Sequence, residues 1–292
     1  MPGIFRNVAT TLEMIKWEHS IFALPFALCG VMLASAGGEL PWRKIGWVVV
    51  AMVAARSAAM AFNRLADAEI DAANPRTRTR ALPAGTLSRG FVGGFVLASC
   101  AVFALAAARL NPLAFALSPV ALVVLLAYSY TKRFTRWSHL VLGFALGMAP
   151  AAAWIAVRGS LDPRILLLTA AVTFWVAGFD VLYACQDYDF DRATGLHSIP
   201  RAFGIRAALV TARAFHVIML VLLALLVNWF HLGPVAMAGV AVVGLLLAWE
   251  HSLVRANDLS RLNAAFFTMN GVISVVFFLF VAADLVLQPG RP

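Results

Sequence analysis

Asn63, Asp67 and Asp71 recur every four residues in the stretch NRLADAEIDAANPRTRTRALPAG. On a helix that spacing stacks the three side chains on one face. Arg76, Arg78 and Arg80 follow at once, then Pro83 and Gly85. Carboxylates repel a phosphate unless a divalent cation lies between them, whereas guanidinium groups bind phosphate directly. Side by side, the two fit a Mg²⁺-bound diphosphate, the metal held by a few carboxylates and by the phosphate oxygens. One such motif could equally be a solvated charged loop between two membrane helices, since short motifs often match by chance. A second copy argues against chance. In DVLYACQDYDFD, Asp180, Tyr183, Asp187 and Asp191 again fall at helical spacing, beside Arg192, Arg201 and Arg206.

The elements that must position these residues are membrane helices. The chain has 292 residues, 62% of them hydrophobic and 13% charged, far from the balance of a soluble domain. Apolar runs of about 20 residues, each long enough to cross a bilayer, recur from end to end. The reading is an all-α polytopic membrane protein with no sizeable soluble domain. The net charge of +9 is explained by basic loops on one side of a membrane and does not call for a nucleic acid. Cys29, Cys100 and Cys185 match no metal or disulfide spacing and read as packed thiols. Arg6, Glu13, Lys16 and Glu18 precede the first apolar run, which is not the pattern of a cleavable signal peptide.

After a short interfacial lead-in, spans are expected near residues 19–37, 45–62, 90–110, 112–130, 138–157, 165–184, 207–230, 232–249 and 264–287. Gly143 and Gly147 in the fifth span have a spacing that permits close helix packing. Nine spans put the termini on opposite sides. Of 23 Lys and Arg residues, fifteen then share the side of the N-terminus and six lie opposite, with Arg56 and Arg213 inside spans. That bias places both Asp motifs in the cytoplasm, as one shared site requires. The motifs follow the second and sixth spans, which suggests a single 1–292 domain of two similar four-helix units plus a ninth helix.

These residues resemble the UbiA superfamily of membrane prenyltransferases. Asn63, Asp67 and Asp71, followed by Arg78, Arg80, Pro83 and Gly85, resemble its first signature. Asp180, Tyr183, Asp187 and Asp191 resemble its second, and Tyr128, Lys132 and Arg133 the basic segment after its fourth helix. The resemblance implies nine helices around a central cavity open to lipid. It also implies transfer of a polyprenyl group from its diphosphate to an aromatic acid of quinone biosynthesis, with Mg²⁺ bridging the Asp motifs and the diphosphate. IKWEHSIFALPFAL and NDLSRLNAAFFTMNGVISVVFF are similar to the branch of 4-hydroxybenzoate-type or menaquinone (futalosine-route) enzymes. Lys16 stands where many members carry Arg, which gives a point charge in place of a bidentate fork. The implied location is the inner membrane, with the site facing the cytoplasm.

Asn63, Asp67 and Asp71 are assigned to one metal ion, and Asp187 and Asp191 to another. Lys16, Arg78, Lys132 and Arg133 are candidates for phosphate oxygens or for the acceptor's carboxylate, and Arg80 is a weaker one. Asp180 and Tyr183 could position the acceptor or help remove its ring proton. An ionisable residue inside a span is a functional candidate by default, which also holds for Arg56, without a nameable partner. Glu69 and Asp189 fall off the ladders and read as solvated, and Arg76 and Arg136 could equally be anchors. His19, His139 and His197 read as interfacial, while His216, His231 and His251 show no ligand spacing. The competing class is a transporter, which should carry charges near mid-bilayer. Here the charges gather at one face, which favours the enzyme.

Overall fold

The computed structural model describes residues 2–16, 22–256, 258–259 and 262–287. The chain is helical throughout this range: α1 (Pro2–Met14), α2 (Leu24–Ala34), α3 (Trp42–Ala66), α4 (Ala68–Ala73), α5 (Arg89–Leu110), α6 (Pro112–Thr131), α7 (Ser138–Arg158), α8 (Leu166–Ala184), α9 (Tyr188–Thr194), α10 (Ile199–Trp229), α11 (Pro234–Leu253) and α12 (Leu262–Leu287). Short 3₁₀ turns at Pro163–Ile165 and Cys185–Asp187 flank α8. Among the described residues eight helices are long and apolar enough to cross a membrane. Only helices and closed barrels can satisfy their backbone in lipid, so the protein is an integral helical membrane protein. Where the first of the nine expected spans begins, residues 17–21, including His19, lie outside the described residues. The helix that follows there, α2, has 11 residues, short of the length that crosses a bilayer unaided.

The chain divides into two compact units, residues 1–20 with 46–130 and residues 21–45 with 131–292. The first unit contains α1, most of α3, α4, α5 and α6. Its buried cluster joins Ile15, Ala61, Leu82, Leu87, Val92 and Val96. Leu82 and Leu87 come from the segment after the first Asp motif, so that segment is packed down by its own apolar residues. Gly85, at φ +72, turns the chain, a conformation that costs glycine little. Ser88 then accepts a hydrogen bond from the Phe91 N–H and starts α5. On α5 and α6, Leu97, Leu105, Phe115, Val120 and Val123 remain exposed, as side chains that face lipid do.

The second unit is built around α8, whose Leu168, Val172, Trp175 and Val176 are fully buried. Helices α7 and α10 flank it. The expected close approach is present. A Cβ at Gly143 would strike the Thr173 carbonyl, and one at Gly147 would come within 2.7 Å of the Thr169 carbonyl. Gly178 leaves room for the ring of His216, which faces His251 on α11 at 2.9 Å. Asp284 of α12 accepts from the Gly233 and Ala236 N–H groups at the start of α11, at 2.6 and 3.2 Å. The seventh span was expected from residue 207, but α10 begins at Ile199. Ser198 caps it, Pro200 sits in its first turn, and Gly204, at φ +83, kinks it. Ser before Ile-Pro is a legible helix start, masked by the charges of Arg201 and Arg206.

Candidate active site

The first ladder does not lie on one continuous helix. α3 ends at Ala66, and Asp67 takes φ −98 and ψ 6 before the short α4 resumes. That backbone belongs to the sparsely populated bridge region, where many active-site residues sit. Asn63 Nδ2 donates to Asp67 Oδ2 at 3.1 Å. Asp71 is 6% exposed, and Arg80 Nη1 donates to both its oxygens at 2.8 Å. Thr77 Oγ1 donates to the Asp71 carbonyl at 3.0 Å. The buried Asn74 accepts the Arg76 N–H on its side chain and the N–H groups of Thr77 and Arg78 on its carbonyl. The segment is thereby folded back so that Arg80 meets Asp71, while Arg76 and Arg78 stay exposed.

The sequence reading missed Arg64. Its guanidinium lies 3.9 Å from Asp71, in the electrostatic field of Arg80, Asp67 and Tyr128. Arg78 is exposed. Tyr128 is half-buried, its hydroxyl 3.9 Å from Met60 Sδ. Lys16 is exposed at the surface of its unit, at φ +54. Arg56, for which no partner was nameable, donates through Nη2 to the Lys16 carbonyl at 3.1 Å. Glu69 is solvated as expected, with Arg89 at 3.5 Å.

The second ladder repeats this local design. α8 ends at Ala184, a 3₁₀ turn follows, and Asp187 takes φ −98 and ψ 11 before the short α9. Asp187 thus has the backbone conformation of Asp67. Asp191, like Asp71, lies four residues further on, buried in a helix of one or two turns. Its Oδ2 accepts from Ser198 Oγ at 2.7 Å, and the same hydroxyl accepts the Arg201 N–H at 3.3 Å. Lys132 and Asp187 are within electrostatic reach of Asp191, and the Lys132 carbonyl accepts the His197 N–H at 2.7 Å. Lys132 is therefore seated beside this ladder, while Arg133 is exposed and Tyr183 half-buried. Arg201 Nη1 donates to the carbonyls of Gly195 and Leu196, just past the end of α9.

Asp180 sits on α8, 27% exposed at its side chain, with Oδ2 2.7 Å from His139 Nδ1. His139, expected at the interface, is instead 3% exposed. A lone histidine near a span end gave no signal of this, because its partner lies 41 residues away.

The donor set fits Mg²⁺. All the candidate ligands offer hard oxygens, and Mg²⁺ is usually held by one or two carboxylates while phosphate and water fill the rest of its shell. No group of three His, Cys, Asp or Glu gathers among the described residues. Arg80 takes one lone pair on each Asp71 oxygen, and a carboxylate has about four, so Asp71 keeps capacity for a cation.

Residues 23–272 match the UbiA prenyltransferase family. The chain belongs to the UbiA prenyltransferase family. A 4-hydroxybenzoate octaprenyltransferase of Albidiferax ferrireducens is 29% identical, covering 97% of this chain and 95% of its own. A 4-hydroxybenzoate solanesyltransferase of Synechocystis is 34% identical over 67% of this chain and 68% of its own. Among solved structures, the apo form of a UbiA homologue from Aeropyrum pernix K1 has a TM-score of 0.83 at 34% identity, covering 92% of this chain and 98% of that one. A UbiA homologue from Archaeoglobus fulgidus, bound to DMAPP and Mg²⁺, shares the fold with a TM-score of 0.73 at 19% identity, covering 97% and 100%. UbiA membership sets aside the transporter reading.

Proposed function

We propose that this UbiA-family protein moves a polyprenyl group from polyprenyl diphosphate to an aromatic acid of the 4-hydroxybenzoate type, with Mg²⁺, in quinone biosynthesis. The observation that carries the reading is the duplicated carboxylate design. Asp67 and Asp187 share one backbone conformation, and each is followed four residues later by a buried carboxylate. The names of relatives covering nearly the whole chain support the acceptor class.

The reaction breaks the allylic C–O bond, and diphosphate departs with the electron pair. The allylic carbon then bonds to a ring carbon of the acceptor, and the ring loses its proton to a base. Bound Mg²⁺ would supply electrostatic stabilisation of the charge developing on the leaving oxygens. Asn63, Asp67 and Asp71 are the residues we assign to one ion, Asp187 and Asp191 to a second. Arg64 and Arg80 hold the first set of carboxylates in place, and Ser198 holds Asp191. Lys16, Arg78, Lys132 and Arg133 bind phosphate oxygens or the acceptor's carboxylate. Asp180 accepts the ring proton or orients the acceptor, with Tyr183 and Tyr128 beside the ladders as further substrate contacts. We place the protein in the inner membrane, with these residues facing the cytoplasm and the whole chain working as one domain of two similar four-helix units and a ninth helix.

The test is acceptor competition, in membranes supplied with radiolabelled prenyl diphosphate and Mg²⁺. 4-Hydroxybenzoate should be prenylated, and phenol, which lacks the carboxylate, far more slowly. Equal rates for the two would contradict the aromatic-acid reading. A second aromatic acid, from the futalosine route of menaquinone synthesis, belongs in the same panel because the first and last spans are similar to that branch.

A further inference from the structure

His139 stands in the first turn of α7 and is buried between two elements of the second unit. Its Nε2 faces the N–H of Ile199, the first residue of α10, at 3.3 Å. An amide N–H can only donate, so Nε2 is the bare nitrogen. In a neutral imidazole the other nitrogen then carries the hydrogen. The hydrogen-bond pattern thereby assigns Nδ1–H as the donor to Asp180 Oδ2 at 2.7 Å. Both ring nitrogens are used, and the ring cannot rotate without breaking a bond at each end.

Two neighbouring facts give this arrangement a purpose. Asp180 is 27% exposed while the histidine beneath it is nearly sealed, so the pair has an inner orienting end and an outer reachable end. The α10 start that fixes Nε2 is also the start that fixes the second ladder, because Ser198, one residue before Ile199, bonds Asp191 Oδ2. One helix terminus thus sets both Asp191 directly and Asp180 through His139.

We propose that His139 is a positioning residue for Asp180. It commits Oδ2 and leaves Oδ1, for which no donor exists among the described residues, as the oxygen offered to the acceptor. The inference rests on the reading of Asp180 as the group that meets the acceptor. Partners that orient metal-ligating side chains contribute about ten- to a hundredfold, and the same scale is taken here for a carboxylate that meets the acceptor.

Asparagine and glutamine separate the two ends of the ring. In His139→Asn the amide lies near the place of Nδ1 and can still donate to Asp180. In His139→Gln it lies near the place of Nε2 and serves Ile199 only. The experiment measures kcat and KM for both substrates in the full-length protein with Mg²⁺, together with melting in detergent. The variants are His139→Asn, His139→Gln, Asp180→Asn and the His139→Gln/Asp180→Asn pair. The expected result is a kcat loss of about ten- to a hundredfold in His139→Gln, with KM for prenyl diphosphate unchanged and His139→Asn retaining most of the rate. The paired variant should be no slower than Asp180→Asn alone, since groups that act through one another are non-additive. The reverse order, Asn slow and Gln fast, would make His139 a cap for α10 and overturn the proposal. So would multiplying effects in the paired variant, or wild-type kcat in His139→Gln. Full activity in Asp180→Asn beside a slow His139→Gln would instead remove Asp180 from the chemistry, and the proposal with it.

Discussion

Asp67 and Asp187 show how spacing and backbone divide the labour at a single residue. Spacing alone places each on a helical ladder, but both sit at helix breaks with almost identical dihedral angles. The four-residue period was legible, because it survives a break of one residue. The partners of the ladder residues were not. Arg64, Ser198 and His139 reach their carboxylates across a turn, a loop or another helix, and no local period marks such contacts. Lys16 gives a residue-scale prediction. Its φ of +54 lies in the left-handed region, which costs a lysine about 1–2 kcal/mol, and Arg56 holds its carbonyl. Lys16→Gly keeps the backbone and deletes the amine. We expect an unchanged yield of folded protein and a raised KM for prenyl diphosphate, read from initial rates. An unchanged KM would remove Lys16 from the phosphate contacts.

Helices were the most legible elements, since long apolar runs bounded by Pro, Gly and charge leave little choice in lipid. The expected spans from the third to the sixth agree with α5, α6, α7 and α8 to within a residue or so. The errors fall where polar sequence continues a helix. α3 runs on to Ala66 and carries Asn63 and Arg64 into the ladder, and α10 starts eight residues before the expected 207. Both extensions carry arginine, Arg64 in one and Arg201 and Arg206 in the other, which hides them from a search for apolar runs. Packing makes a paired prediction at this scale. Gly143 lies against the Thr173 carbonyl, whereas a Cβ at Gly93 on α5 would meet nothing within 4 Å. Gly143→Ala should cost about 1–3 kcal/mol through overpacking of α7 on α8. Gly93→Ala should be neutral or stabilising by up to about 1 kcal/mol. Melting temperatures in detergent decide it, and equal effects would mean that α7 and α8 do not meet at Gly143.

Across the chain, the sequence made the class and family plain, because apolar runs extend over almost its full length and two carboxylate motifs lie between them. It did not reveal the division into the two compact units, in which residues 21–45 group with 131–292 and not with their chain neighbours. That exchange depends on side chains such as Phe26 packing on Trp175 and Phe277, contacts between residues far apart in the chain. Each unit carries one carboxylate ladder, and the proposed function requires a divalent cation at both. The direct measurement is the rate of prenyl transfer against Mg²⁺ concentration for wild type, Asp67→Asn and Asp191→Asn, each shown to be folded by its melting curve. Wild type should be inactive in chelator and recover with Mg²⁺. Each variant should lose about a hundredfold or more at saturating Mg²⁺, the scale of removing electrostatic support from the leaving group. Near wild-type turnover in either variant, or full activity in chelator, would overturn the two-cation mechanism.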